Sequence, residues 1–390
     1  MTVTQVYQIL NTIAGELLGE TAIVQEDLSN VVELGDSFAN VAGLDNYVRA
    51  LNDTIGKMVF VDRRYTGRAP SVLMDGWEFG SIIEKVSAEL PDAEENESWE
   101  LQDGTSYDPN IFYKPSVSVK CWNKRVTFEI PVSITERQIK SSFQNATQLN
   151  AFYSMIYTAI ENSMTMKLDS LIMRTINNFI GETIYDEFPG GTYNNTSGVR
   201  AVNLLYRYNT EVIGSGTPIT AAEAMVDPDF IRFASKVMMD YSDRMAVMST
   251  LFNIGGKERF TPRDRMHFVM LSEFLNAARV YLYGGKDEFR AAEYSKLPEA
   301  ESVTYWQGSG TAYDFSDTSN IDIVTSGNHT VDADGIIGVM FDRDALGVSN
   351  MNPRVTTQYN AKAEFWNEWH KVDAGYFNDQ NENFVVFFVA

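Results

Sequence analysis

The chain has a single cysteine, Cys121, so it can build no internal disulfide framework and offers no cysteine cluster to a metal. Histidine is nearly as scarce: His267, His329 and His370 are the only three, and they sit in unrelated contexts. No stretch approaches the ~18 consecutive apolar residues that a membrane span requires. The start, Met1-Thr2-Val3-Thr4-Gln5, has neither a basic leader with an apolar core nor a small-residue cleavage site, so no signal peptide is expected. The expected setting is a reducing cytoplasm, where Asn194-Asn195-Thr196 and similar triplets are loop chemistry and not glycosylation sites. Basic charge is also in deficit, with 31 Lys and Arg against 53 Asp and Glu and a formal charge of −22. Nucleic-acid binding by counterion displacement needs clustered Lys and Arg, and this balance argues against it. What the chain does have is apolar content: 44% hydrophobic residues over 390 positions suffice for a large core. That length fits two or three modules, or one elongated multi-lobed unit.

Residues 1–56 carry eight acidic side chains against one basic residue, Arg49, around short apolar runs, which is the composition of an arm that docks elsewhere. Lys57 to Asp62 is strand-like, and residues 70–90 mix β-branched and apolar residues. Between Pro91 and Gly104 come six acids and no base, a tract that cannot make a core and must be a solvated tip or loop. Beyond it the pattern alternates: Val117, Val119 and Cys121 on one side, then Val126, Phe128, Ile130 and Val132, which predicts strands with one buried face. Two strand regions flanking an acidic tip form a two-stranded β arm. Such a ribbon is marginally stable alone and should be held by neighbours.

Leu149, Phe152, Ile156, Ile160, Met164, Leu168, Ile172 and Phe179 recur at helical spacing and predict one helix over roughly Asn145 to Ile180, about 50 Å long. Asn145 or Ser142 can cap its start and Gly181 can end it. A strict heptad is absent, which favours a girder over a coiled coil. Residues 186–220 are rich in Gly, Asn, Thr and Tyr and predict loops, with one short strand near Val202 to Tyr206. Asp227-Pro228 is a cap followed by proline at the first helical position, and Ile231, Ala234, Met238, Tyr241 and Met245 continue as a buried stripe. A strand at His267 to Leu271, a helix near Glu273 to Tyr283 with Ser272 as candidate cap, and strands at Ile321 to Val324 and Ile336 to Phe341 make up an α/β lobe. The last forty residues return to aromatic-rich strands.

No catalytic, cofactor-binding or metal-binding residues emerge. His267 opens an apolar strand and reads as structural. Gly255-Gly256-Lys257-Glu258 lacks the earlier glycine of a phosphate loop and has Glu where Ser or Thr should bind magnesium. Asp332-Ala333-Asp334-Gly335 lacks the closing Glu of a calcium loop and reads as a turn between strands. Phe365, Trp366 and Trp369 read as core or interface. Nothing joins a nucleophile, a base and an oxyanion site.

The order of parts, together with Gly76-Trp77-Glu78-Phe79-Gly80-Ser81-Ile82-Ile83-Glu84-Lys85, the run from Phe143 to Ile180, Arg265-Met266-His267-Phe268-Val269-Met270 and Val372-Asp373-Ala374-Gly375-Tyr376-Phe377, resembles the major capsid proteins of tailed bacteriophages. It looks most like the branch in small short-tailed phages of Gram-positive hosts. The resemblance covers nearly the whole chain and implies the α+β Hong Kong 97-type capsid fold. Its expected parts are an N-terminal arm at 1–56, the E-loop β-hairpin and start of the peripheral domain at 57–133, and the spine helix and peripheral domain at 134–220. The axial domain at 221–345 and C-terminal peripheral-domain strands at 346–390 complete it.

The implied function is non-enzymatic: self-assembly into pentamers and hexamers of an icosahedral or prolate head that encloses double-stranded DNA without sequence-specific binding. The virion is the expected location, reached by assembly in the host cytoplasm. Residues 1–56 are too short for a fused scaffolding domain, so a separate scaffolding protein is implied, together with a portal. The immunoglobulin-like domain that some relatives append, and surface adhesion through it, are not expected. The sequence assigns no role to Lys85 in a Lys-to-Asn cross-link of the kind some relatives form. An encapsulin-like cellular compartment shell is the alternative of the same fold; an acidic binding or surface-layer protein ranks below it. The negative charge is expected to line the inside and repel packed DNA.

Overall fold

The structure is a computed structural model that describes residues 69, 72–74, 83–135, 146–283, 300–307 and 315–390, apart from 92, 94, 97, 98, 109, 192 and 194–197. The expected N-terminal arm, the strand at 57–62, and the candidate caps Ser142 and Asn145 lie outside the described residues. In chain order come β1 (Leu73–Met74), β2 (Ile83–Ala88), β3 (Val117–Trp122), β4 (Arg125–Thr135), the 42-residue helix α1 (Ala146–Glu187), β5 (Ala201–Asn203) and α2 (Leu204–Tyr208). Helix α3 (Pro228–Met245), β6 (Met266–Leu271), α4 (Ser272–Tyr283), β7 (Ala300–Val303), β8 (Ile321–Val324), β9 (Thr330–Ala333) and β10 (Ile336–Asp342) follow. Strands β11 (Leu346–Asn360), β12 (Phe365–Asn378) and β13 (Phe384–Phe388) close the chain. This mixture of helices and largely antiparallel sheets is the expected α+β class.

Two compact units result. The first comprises residues through Glu78, Arg125–Ile176 and Gly347–Tyr376, and its sheet runs β1-β11-β12-β4. β12 and β4 pair antiparallel from Phe365↔Thr135 to Gly375↔Arg125. Trp366, Glu368, His370 and Val372 are buried on one face of β12, whereas Phe365 and Trp369 on the other are only half-buried. Asp373 ties the strands together, accepting from Thr127 Oγ1 at 2.6 Å and Arg354 Nη1 at 2.7 Å. The Arg354 guanidinium holds the Asp373 carboxyl below its usual range.

The second unit comprises Phe79–Lys124, Asn177–Leu346 and Phe377–Ala390 around a five-stranded sheet, β5-β13-β10-β6-β7. β13 is apolar without alternation because both its faces are covered. Phe384 stacks on Phe179 of α1 with ring centroids 4.0 Å apart. Val385 and Phe387 face the opposite way, into a core shared with Phe230, Met238 and Tyr241 of α3 and Phe274 of α4. Within the range 346–390, β13 hydrogen-bonds to β10 and β5 of the second unit, whereas β11 and β12 lie in the first unit's sheet.

Asp227 caps α3, accepting from Asp229 N at 2.9 Å with Pro228 at the first position, and the whole predicted stripe from Ile231 to Met245 is buried. The strand expected at Val202 to Tyr206 stops at Asn203, whose side chain accepts from Tyr206 N and caps α2 instead. Gly181 does not end α1, which runs on to Glu187 and is followed by Phe188-Pro189-Gly190-Gly191, with Gly191 at φ +66. Gly181 is needed for close approach: a Cβ there would come within 2.8 Å of Thr325 Cγ2. Ile321–Val324 leaves the central sheet and pairs with Thr330–Ala333 in a two-stranded sheet of its own.

Candidate assembly surface

β2 and β3 form the predicted arm. Six residue pairs run antiparallel from Ile83↔Trp122 to Ala88↔Val117, and Glu89 N extends the ladder to Ser116 O at 2.9 Å. No third strand joins this pair among the described residues, so both outer edges keep unpaired backbone groups. The described residues of the tip beyond it are exposed, as expected of an acidic tract. The tip also carries large apolar side chains in water, with Trp99 95% exposed and Phe112 85% exposed.

The faces of the ribbon are inverted relative to expectation. Val117, Val119 and Cys121, read as a buried set, are exposed together with Glu84, Val86 and Ala88 of the paired strand, so the outward face is apolar apart from one carboxylate at its root. The face turned toward the second unit's own body is polar: Lys85 and Ser87 of β2, Ser118 and Lys120 of β3. Ser87 Oγ and Ser118 Oγ hydrogen-bond at 2.7 Å across that face. Trp122, 5.2 Å from the Phe377 ring, supplies its apolar contact at the base. Period-two alternation identified two faces correctly but not which face the subunit itself covers.

The polar face is held by charge. Lys85 Nζ donates to Asp379 Oδ2 at 2.9 Å, Glu382 Oε1 at 2.7 Å and the Asp344 carbonyl at 3.3 Å, and Lys120 Nζ donates to Asp379 Oδ1 at 2.8 Å. Farther out, Glu89 pairs with Lys257. Burial pulls the Lys85 ammonium down, but its hydrogen bonds to Glu382 and Asp379 carry it above the usual lysine range. Burial likewise pushes the Asp379 carboxyl up, and the hydrogen bonds from Lys120 and Lys85 overcome this and hold it low. Lys85 is thus engaged in ion pairs at the hairpin root. Asp379 and Glu382 were not singled out from sequence; their partners lie 259 to 297 residues away, and no local pattern signals such pairing.

An outward apolar ribbon anchored by a polar root suits a subunit whose arm is covered by another molecule. Comparison with known proteins decides which kind. Residues 10–388 match the sequence model of the Phi29-like phage major capsid protein family. The chain belongs to that family. It is therefore a major capsid protein of the phage head shell, a virion component. Solved structures agree on the fold. A chain from the capsid of Staphylococcus phage Andhra is similar over 84% of this chain and 86% of its own, at TM-score 0.52 and 9% identity. A chain from the structure of head fiber and inner core protein gp22 of native bacteriophage P68 covers the same shares at TM-score 0.50 and 9% identity. No curated protein matches the sequence. None of these findings supports the encapsulin-like alternative.

In this capsid protein the three histidines remain apart. His267 packs against Phe341 with centroids 5.8 Å apart, and burial with the nearby Arg343 lowers its pKa. His329 stacks on Tyr185 at 3.7 Å and contacts Glu182 Oε2 at 3.2 Å beside a cleft of about 620 Å³. The acids of that cleft are already engaged, Glu182 Oε1 with Gly327 N and Asp186 with Arg200. His370 lies 3.5 Å from Glu368, which is fully buried with neither oxygen accepting a hydrogen bond among the described residues. Asp334-Gly335 makes the expected turn between β9 and β10, with Gly335 at φ +75. Among the described residues no helix is long and apolar enough to cross a membrane.

Proposed function

We propose that this capsid protein closes its shell by laying the outward face of the β2–β3 hairpin on the next copy in a ring. The observation that carries this reading is the inversion of the ribbon: Val86, Val117 and Val119 face water while two lysines face the subunit's own body. A soluble protein gains nothing by that arrangement unless a second surface covers the valines. Repeating one such heterologous contact through a rotation that closes gives rings, here pentamers and hexamers of an icosahedral or prolate head. The role is structural and not enzymatic. Assembly takes place in the host cytoplasm, around a separate scaffolding protein and a portal, and the shell encloses double-stranded DNA without reading its sequence. The formal charge of −22 supports a lining that repels packed DNA and keeps it from adhering.

Cys121, the chain's only cysteine, lies on the outward face and makes a direct test. A maleimide should label the free subunit rapidly and the assembled shell slowly, and labelling before assembly should block ring formation under the electron microscope. Equal labelling of subunits and shells would exclude this face from the contact.

A further inference from the structure

The hairpin root contains an electrostatic conflict. Lys85 and Lys120 stand directly opposite one another in the β2–β3 ladder, on the same face. Like charges at opposed positions push strands apart. A single carboxylate resolves the conflict: each oxygen of Asp379 takes one of the two lysines, at 2.9 and 2.8 Å. Glu382 takes Lys85 as well, at 2.7 Å, and lies 3.4 Å from Arg259. Asp379 is well fixed for this task. Its side chain is 2% exposed, its N–H donates to Ala345 O at 2.6 Å, and Oδ1 also accepts from Asn381 N at 3.1 Å. It sits in the turn between β12 and β13, just ahead of a strand that is buried throughout.

We propose that Asp379 is the positioning residue of the capsid hairpin: by bridging two opposed lysines it fixes the attitude in which the apolar face meets the next copy. This rests on that face being the docking surface. With its side chain 2% exposed, the carboxylate offers almost no surface to a neighbour and acts through the lysines. Its removal leaves Lys85 with Glu382 but takes the counter-charge from Lys120 directly opposite, so the hairpin should swing or fray while the sheet beneath stays folded.

The test uses the full chain with Asp379→Asn, which keeps the shape and removes the charge. Amide hydrogen exchange over β2 and β3 should quicken at least about tenfold relative to β6 and β10. The protein concentration needed for assembly should rise by a similar factor. Adding Lys120→Met to Asp379→Asn removes the opposed cation and should recover most of both losses, which a merely space-filling role for Asp379 would not allow. Should the Asn variant fail to fold, Lys120→Glu, altering a side chain that is 37% exposed, sets a carboxylate against Asp379 in place of the ammonium and should quicken exchange in β3 by lifting it from the body beneath. Unchanged exchange in β2 and β3, or no recovery with Lys120→Met, overturns the charge-pinning role. Faster exchange with undiminished assembly upholds the pin and overturns its part in docking, along with the docking surface on which it rests.

Discussion

Replacing Val86 and Val119 together by serine should disable assembly while leaving the subunit intact. The two valines are cross-strand partners, and they keep 60% and 53% of their surface in water. Full burial of a valine side chain is worth roughly 1.5–3 kcal/mol, so the half still exposed on each amounts to about 1 kcal/mol when a neighbour covers it. Losing both costs about 2 kcal/mol per contact, or roughly a 30-fold weaker contact at about 1.4 kcal/mol per factor of ten. In a closed ring each subunit both gives and receives one hairpin, so the loss compounds around the ring. Exposed positions change subunit stability by only about 0.5 kcal/mol either way, so the melting temperature should stay within a few degrees. Light scattering against protein concentration gives the assembly threshold, and electron microscopy identifies the product. An unchanged threshold would refute the reasoning, and so would a fall in melting temperature of the size a core substitution causes, because the valines would then be serving their own subunit.

Gly181→Ala should lower the melting temperature even though alanine is the better helix former by about 1 kcal/mol, because overpacking against Thr325 and Ile323 costs about 1–3 kcal/mol. Adding Thr325→Ser, which removes the crowding methyl and keeps the hydroxyl that accepts from His329 N, should reverse the sign. The hairpin root should depend on pH in a defined direction: the depressed Asp379 carboxyl contributes above the ordinary aspartate pKa of about 3.9 and its contribution is lost as pH falls through the lower folded value. The raised Lys85 ammonium contributes below about 10.4 and is lost as pH rises through its folded value, so the melting-temperature gap between the native chain and Asp379→Asn should stay constant near neutrality and close below about pH 4. Asp227→Ala should cost about 1 kcal/mol by calorimetry, since it leaves Asp229 N without its side-chain acceptor at the start of α3.

Two strands with the same alternation show what residue order can and cannot tell. β4 presents Val126, Phe128, Ile130 and Val132 to its own unit, as the period-two pattern predicts. β3 has the same period and the opposite outcome, with its valines outside and Ser118 and Lys120 inside. The difference comes from Asp379, 259 residues beyond Lys120 in sequence, and a window of ten residues contains nothing of it. Gly181 repeats the lesson for helices: its conformational freedom looked like a stop signal, but the strand pair β8–β9 needed the missing side chain's space. The long helix itself, the Asp227 cap and the apolar β13 were readable because propensity, capping and burial agree there.

Gly181 and the inverted ribbon differ in where their causes lie. Gly181 is explained within the subunit, since Thr325 and Ile323 occupy the space it leaves. The inverted ribbon is not explained there: among the described residues nothing covers Val86, Val117 and Val119, and the body beneath has taken up the lysines instead. An apolar face that its own chain has turned away from, on an arm fastened at its root by buried charge, has a physical rationale only if the free energy of covering it is gained between molecules. On the docking proposed for this capsid protein that gain is the assembly step itself, and the hairpin's amphipathicity is then judged on the shell and not on the subunit.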